Sequence, residues 1–219
     1  MSQMTAPSPT SLNEKALLAD PAPLGLAGFA FTTFLLSFVN TGWLGASAVG
    51  VVVPLALFYG GLGQLLAGVF EMRKGNTFGF TAFSSYGAFW LFFGSLVLLE
   101  KMGLIAPPAV AVGTALLLYG IFTFYMWIPA MFANLSLNLT FLFLWLAFVF
   151  LGLGDVLPST MATTAGGYFG IFSATAAAYT SFAIVTNSNL GAGTIPLGPG
   201  LRRRAKAVRA PYVGAQSHP

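Results

Sequence analysis

Polar and aromatic side chains that could contact a small solute recur at helical spacing inside long apolar stretches of this 219-residue chain. Two such faces are formed by Phe29, Thr33, Ser37 and Asn40 and by Thr81, Ser84 and Ser85. Hydroxyl and amide groups can replace part of the water around a passing solute, but they can also hydrogen-bond across helix contacts. The two faces together favour a polar path, and for any single residue a packing role remains open.

The ionisable residues lie outside the centres of the apolar stretches, and the single histidine is His218, beside the C-terminus. Proton pumps and many symporters carry ionisable groups at mid-membrane, and membrane metalloenzymes need His or carboxylate ligands. The sequence therefore predicts a path without a fixed charge, with channel-like passage and any proton travelling on the solute. We expect no enzymatic activity, no metal and no cofactor.

The composition is that of a membrane protein, with 57% hydrophobic and 6% charged residues, against roughly 25% charged residues in a soluble domain. Six apolar stretches are each long enough to cross a bilayer. They run over 23–40, 48–70, 78–99, 108–128, 135–153 and 165–186, and turn-forming or charged residues separate them. The predicted fold is an all-α integral membrane protein with six transmembrane helices.

The basic residues predict how the chain is oriented. Lys15, the Arg73-Lys74 loop and the basic tail fall on one side, and the opposite loops carry Lys101 alone. By the positive-inside rule both termini are cytoplasmic in a cell membrane, inner or plasma. We divide the chain into an N-terminal arm (1–22), a membrane domain (23–186) and a basic tail (187–219), which we expect to contact membrane lipids rather than nucleic acid.

The junction before the third stretch, 75–79, could serve an anion. Asn76 or Thr77 can cap the free N–H groups of the helix that starts here, whose end carries partial positive charge suited to a carboxylate. An ordinary cap explains these residues by itself. Access of an anion to the path at this position is the second interpretation.

Two sequence blocks resemble a known family. The segment Asp20-Pro-Ala-Pro-Leu-Gly-Leu26 is similar to the Asn-Pro-Ala-Pro-Leu-Gly-Leu signature of the acetate uptake transporter family, of the succinate-acetate permease or YaaH type. The stretch from Phe58-Tyr-Gly-Gly-Leu-Gly-Gln64 to Phe89-Trp90 matches that family nearly residue for residue. Asp20 departs from the pattern, because the family usually has Asn there, and it adds a negative charge near the mouth of the path.

The resemblance implies a homo-hexamer in which each protomer has its own path for acetate and related small monocarboxylates, with succinate a substrate of some members. It also implies a narrow hydrophobic constriction of a Phe, a Tyr and a Leu. By motif position the first two are Phe29 and Tyr86, and the Leu, which falls in the fifth stretch outside a strong motif, is Leu144. Polar or size-setting candidates for substrate binding are Thr33, Asn40, Tyr59, Gln64, Asn76, Thr77, Thr81, Ser84, Ser85 and Ala176.

Two other classes of function fit the same residues. A channel for another small solute, such as formate, ammonia or urea, would carry similar stripes, and competition with acetate would distinguish it. A non-transporting membrane scaffold or sensor could show them as well, and pure protein in liposomes would then pass no solute.

Overall fold

The computed structural model describes residues 19–201. Six of its helices are long and apolar enough to cross a membrane, which confirms the predicted all-α membrane fold. Their bounds are α1, Ala22–Asn40; α2, Ala46–Lys74; α3, Thr77–Lys101; α4, Ala109–Ala130; α5, Leu135–Val156; and α6, Thr160–Leu190. Lys15, the basic residues after 201 and His218 lie outside the described residues.

Polar side chains start three of these helices by accepting hydrogen bonds from otherwise free N–H groups. Asn76 Oδ1 accepts from Gly79 N at 3.1 Å before α3, and Asn134 Oδ1 accepts from Leu137 N at 2.8 Å before α5. Ser159 Oγ accepts from Ala162 N at 3.3 Å. This last cap starts α6 five residues before the predicted position 165, so the α5–α6 connection is shorter than the sequence suggested.

The second helix is not uniform along its length. A short 3₁₀ turn (Ala46–Ala48) and an α-helical segment (Val49–Leu55) lead into a π-helical segment (Ala56–Gly63), after which α-helix resumes over Gln64–Lys74. Pro54 lies just before the π-helical segment and cannot donate a backbone hydrogen bond. The wide turns follow from that interruption and from the glycines within them.

Small residues let the helices approach closely around this segment. A Cβ atom added at Gly60 would lie 2.8 Å from Trp90 Cγ, and one at Gly61 would lie 2.6 Å from Leu91 Cδ2. A Cβ atom at Gly28 would lie 2.6 Å from the carbonyl oxygen of Tyr59. Helices α1, α2 and α3 therefore pack backbone to side chain with little space between them.

Neighbouring helices in the sequence are neighbours in space, and α6 closes the ring by packing along α1. Aromatic contacts fill the middle of the ring between α3 and α5. The Phe78 and Phe141 ring centroids lie 5.4 Å apart, and those of Phe89 and Phe148 lie 5.1 Å apart. The inner faces of α1, α3 and α5 thus meet along a central seam, where a solute path is expected.

Candidate functional site: two cavities and the residues between them

Phe29, Tyr86 and Leu144 come together at the middle of the seam, from α1, α3 and α5. Their exposed fractions are 5%, 4% and 6%. The Phe29 and Tyr86 rings are tilted by 50°, with 6.2 Å between centroids. Three helices thus bring large apolar side chains to one level of the bundle.

Two cavities lie on opposite sides of this level, and Phe29, Tyr86 and Leu144 line both. No other described residue lines both cavities. The first, of about 120 Å³, lies toward the start of α1 and α3 and contains Glu71; we name it the Glu71 cavity. The second, of about 220 Å³, lies toward the end of α1 and contains Asp155; we name it the Asp155 cavity.

The Tyr86 hydroxyl is directed at α4. It donates a hydrogen bond to Thr123 Oγ1 at 3.0 Å, and Thr123 Oγ1 in turn donates to the Tyr119 carbonyl oxygen at 2.7 Å. The ring of Tyr86 packs edge-on against Phe122, with centroids 5.3 Å apart. Because its proton is engaged with α4, Tyr86 offers the seam its ring rather than a free O–H donor.

Glu71 is the main departure from the predicted site. The sequence placed it in a loop, but α2 continues through Lys74 and ends at Gly75, whose φ of +78° is left-handed. Glu71 is therefore one turn inside the helix and fully buried, with an exposed fraction of 0%. The prediction that ionisable groups stay away from the path does not hold at this cavity, because the Glu71 carboxyl group lines it.

The contacts of Glu71 leave half of its carboxylate unsatisfied. Asn76 Nδ2 donates to Oε2 at 2.8 Å, whereas Oε1 accepts no hydrogen bond within the described part of the chain. Lys74 Nζ lies 3.9 Å from Oε1 but only 2.8 Å from Asp20 Oδ1. Lys74 thus forms its closer ion pair with Asp20, at the protein surface, rather than with Glu71.

Gln64 lies seven residues before Glu71, on the same face of α2. It also lines the Glu71 cavity, with an exposed fraction of 1%, and its amide oxygen has no hydrogen-bond donor among residues 19–201. The remaining polar lining is self-satisfied: Thr140 Oγ1 and Thr180 Oγ1 donate to carbonyl oxygens of their own helices at 2.9 and 2.8 Å. The unpaired acceptors of this cavity are therefore Gln64 and Glu71.

Asp155 gives the other cavity its carboxyl group. It too was predicted in a loop, but α5 extends to Val156 and leaves Asp155 half-buried on the helix. Gly113 on α4 makes room for it, since a Cβ atom there would lie 2.8 Å from Asp155 Cβ. This is a second correction to the prediction of an uncharged path.

The Asp155 cavity differs from the first in its unpaired group. Trp90 lines it and is buried, and its indole N–H finds no acceptor in the described range. Thr33 also lines this cavity, but its hydroxyl donates to the Phe29 carbonyl oxygen at 2.7 Å. Among the described residues, the buried group without a partner is therefore a donor at the Asp155 cavity, beside the half-buried Asp155 carboxyl group, whereas the buried groups without partners at the Glu71 cavity are acceptors.

The other candidates from the sequence divide into two groups. Thr33 and Asn40 line the Asp155 cavity, and Gln64 and Asn76 line the Glu71 cavity. The candidates that line neither are Tyr59, Thr77, Thr81, Ser84, Ser85 and Ala176.

Two of those residues have surroundings that the structure describes. Ser84 lies against Gly68, where its hydroxyl occupies the space that a Cβ atom would need. Ala176 lines a groove on the outer side of α5 and α6, together with Tyr179 and Leu197. Ser84 and Ser85, both candidates for substrate binding, therefore line neither cavity.

Sequence reasoning missed Glu71, Asp155, Trp90 and the two threonines of the Glu71 cavity. A usable signal existed for Glu71, because it stands seven residues after Gln64 and four before a helix-ending glycine. Gly79 supports the same conclusion, since a Cβ atom there would lie 2.9 Å from Glu71 Cδ. Trp90 has no such signal, because the lack of a partner for its N–H is a property of the fold.

Comparison with known proteins gives a consistent family. The model of the GPR1/FUN34/yaaH family matches residues 3–198. The succinate-acetate/proton symporter SatP of Escherichia coli K12 is 38% identical over 182 residues, which are 83% of this chain and 96% of SatP. Acetate permease A of Emericella nidulans is 38% identical over 220 residues, covering 90% of this chain and 73% of the permease.

A solved structure is similar in its fold as well. The structure of the bacterial acetate channel SatP superposes with a TM-score of 0.79 at 37% sequence identity, and the match covers 83% of this chain and 99% of that one. This chain is a multi-pass membrane protein that belongs to the GPR1/FUN34/yaaH family.

Proposed function

We propose that this protein transports acetate and related small monocarboxylates across the membrane, along the seam between the Glu71 cavity and the Asp155 cavity. Its relatives are named as transporters or a channel for these acids. The observation that carries the proposal is that Phe29, Tyr86 and Leu144 separate two cavities and line both. We assign no enzymatic step to the protein.

The chemistry of the constriction favours a small acid with an apolar end. Its three side chains present rings and methyl groups, which can pack on the methyl group of acetate. A bare carboxylate costs several kcal/mol to desolvate there, and the neutral acid costs far less. With a pKa like that of a glutamate side chain, about 4.3, roughly one acid molecule in several hundred is neutral at pH 7.

Each cavity can hold an acid on its way to or from the constriction. A volume of about 120 Å³ takes several water molecules, which a molecule of four non-hydrogen atoms can replace. The unpaired acceptors Gln64 and Glu71 on one side and the unpaired Trp90 N–H on the other supply polar contacts before and after the apolar step. Thr33 and Asn40 on one side and Asn76 on the other complete the proposed binding residues.

The proposal extends to location and assembly. We place the protein in a cell membrane with both termini and the Glu71 cavity on the cytoplasmic side, because basic residues cluster at that side. We also propose a homo-hexamer of protomers with separate paths, on the strength of the family resemblance. Native mass spectrometry of the detergent-purified protein measures the subunit number.

Substitutions at Leu144 test the proposed path. In proteoliposomes, Leu144→Trp is expected to reduce uptake of labelled acetate at least about tenfold, because the added ring fills the space between the cavities. Leu144→Ala is expected to widen the constriction and admit lactate. Formate, urea and ammonium are included as competitors of acetate uptake.

Leu118→Trp is the matched control, because Leu118 on α4 has an exposed fraction of 61% on the outer face of the bundle. It should leave uptake unchanged. A Leu144→Trp protein that is folded and transports acetate like the unmodified protein would exclude this path, and unchanged selectivity in Leu144→Ala would remove Leu144 from the constriction.

A further inference from the structure

Glu71 is the one charged residue among the described residues that line the Glu71 cavity. The charged groups near it are Lys74, on its own helix, and Asp20, which precedes α1. The lining residues from α3, α5 and α6 are uncharged. Within residues 19–201, a negative charge on Glu71 is therefore balanced only by a lysine 3.9 Å away that forms its closer contact with Asp20.

The hydrogen bonds of Glu71 call for a proton at the free oxygen. Oε2 is occupied by the Asn76 amide, and Oε1 is buried without a donor. A buried acceptor without a donor costs free energy that is regained when a hydrogen-bonding group fills the place. A protonated Glu71 turns that acceptor into a donor, and the adjacent cavity holds no other carboxyl group among its described lining residues to receive it.

An acetate ion in this cavity would supply the second carboxyl group. Two carboxylates in one site cannot both be ionised without repulsion, but a pair that shares one proton is stable. Gln64, seven residues before Glu71, can donate through its amide NH₂ to the same acetate. The cavity thus fits one acid, two carboxyl groups and one proton.

We propose that Glu71 and the transported carboxylate share a single proton in the Glu71 cavity, so that Glu71 converts acetate into the neutral acid that crosses the constriction. The inference rests on the proposed function. In this step the O–H bond of Glu71 breaks and an O–H bond of acetic acid forms, leaving Glu71 as the carboxylate. Water on the same side then returns a proton to Glu71 and leaves hydroxide in that solution, and passage from the Asp155 side runs the step in reverse.

The pH dependence of transport tests this step. While Glu71 keeps its proton, the unmodified protein protonates bound acetate itself, so its uptake falls less than tenfold for each pH unit. The Glu71→Gln variant cannot transfer a proton. Its rate of acetate uptake should therefore be proportional to the concentration of neutral acetic acid in solution, which falls about tenfold per pH unit between about pH 6 and 8. Near pH 5.5 the two proteins should differ by about twofold or less, and at pH 7.5 by about tenfold or more.

A structural role for Glu71 would give a different result. It would lower uptake by the same factor at every pH and leave the slope unchanged. Glu100→Gln is the matched control, because Glu100 is an exposed glutamate at the end of α3 and should show the slope of the unmodified protein. Equal slopes for Glu71→Gln and the unmodified protein overturn the inference.

Infrared difference spectroscopy adds a measurement that needs neither flux nor a folded Glu71→Gln variant. Binding of ¹³C-labelled acetate should shift a protonated carboxyl C=O band of the unmodified protein, and the label separates the acetate bands from this protein band. The same shift should appear in Glu100→Gln. No acetate-sensitive carboxyl band overturns the inference. A shifted band in a protein that passes no acetate supports the shared proton but overturns the proposed function. Acetate flux with equal pH slopes overturns the inference and keeps the proposed function.

Discussion

The two cavities on either side of Phe29, Tyr86 and Leu144 are built alike but offer a solute opposite groups. The Glu71 cavity is smaller, and its unpaired groups are acceptors: the Gln64 amide oxygen and one oxygen of a fully buried carboxylate. The Asp155 cavity is larger, its carboxyl group is half-buried, and its buried group without a partner among the described residues is the Trp90 N–H donor. A carboxylate that shares a proton with Glu71 suits the first cavity, and a carboxylate ion that accepts from an N–H group suits the second.

The largest effect is expected from removing the space that Glu71 occupies. A Cβ atom at Gly79 would lie 2.9 Å from Glu71 Cδ and 2.7 Å from Asn76 Nδ2. Gly79→Ala should therefore displace the carboxyl group, at a cost of about 1–3 kcal/mol. We expect acetate uptake in proteoliposomes to fall about tenfold or more.

The control for Gly79→Ala is Gly50→Ala, since a Cβ atom at Gly50 meets nothing within 4 Å. It should transport like the unmodified protein. Uptake that survives Gly79→Ala would show that the position of Glu71 has no part in transport, and the contrast between the cavities would lose its importance.

Substitutions with an intermediate effect on acetate uptake should distinguish the Glu71 cavity from the Asp155 cavity. In vesicles of one orientation, Gln64→Leu should raise the half-saturating acetate concentration for uptake through the Glu71 cavity, and Trp90→Phe should raise it for uptake through the Asp155 cavity. Loss of one hydrogen bond to substrate corresponds to about 0.5–1.5 kcal/mol, or about two- to tenfold. If either variant changes uptake from the two sides equally, the cavities do not differ in the way described.

The smallest effect is expected at the ion pair outside the Glu71 cavity. Asp20→Asn frees Lys74, and an exposed pair of this kind contributes about 0–1 kcal/mol. Acetate uptake from this side should rise up to about threefold at low ionic strength, because the freed lysine attracts the anion, and the gain should vanish near 1 M salt. A rise that persists in high salt would point to a structural change at the start of α1 instead.

The sequence predicted the architecture well because bilayer crossing leaves a strong trace in composition. Six apolar runs predicted the six helices, and motif positions predicted Phe29 and Tyr86. Leu144 came from the resemblance without a strong motif, and the structure brings all three residues to one level. The errors occurred where helices continue past the apolar run. Glu71 and Asp155 look like loop residues by charge, but Gly75 and Val156 show that each helix has another turn beyond the hydrophobic stretch.

The hydrogen-bond partners of the polar side chains could not be predicted from the sequence, for a different reason. Ser84 and Trp90 both stand in the matching motif on α3, yet Ser84 packs on Gly68 and Trp90 lines a cavity with an N–H that has no acceptor among the described residues. The Tyr86 hydroxyl is taken by Thr123, from a helix that has no motif. Such outcomes depend on the rotation of each helix about its axis, which the apolar pattern of a lipid-facing helix determines poorly.

The π-helical segment Ala56–Gly63 determines this rotation for the second half of α2. Each α-helical residue rotates the side-chain direction by about 100° about the helix axis. The wider turns of the π-helical segment therefore change the rotation of the second half of α2 relative to the first. Deletion of one residue here would leave the length and hydrophobicity of α2 nearly unchanged, but it would turn Gln64 and Glu71 away from the seam. Whether a carboxyl group lines the pathway therefore depends on the number of residues in the π-helical segment as much as on the presence of a glutamate.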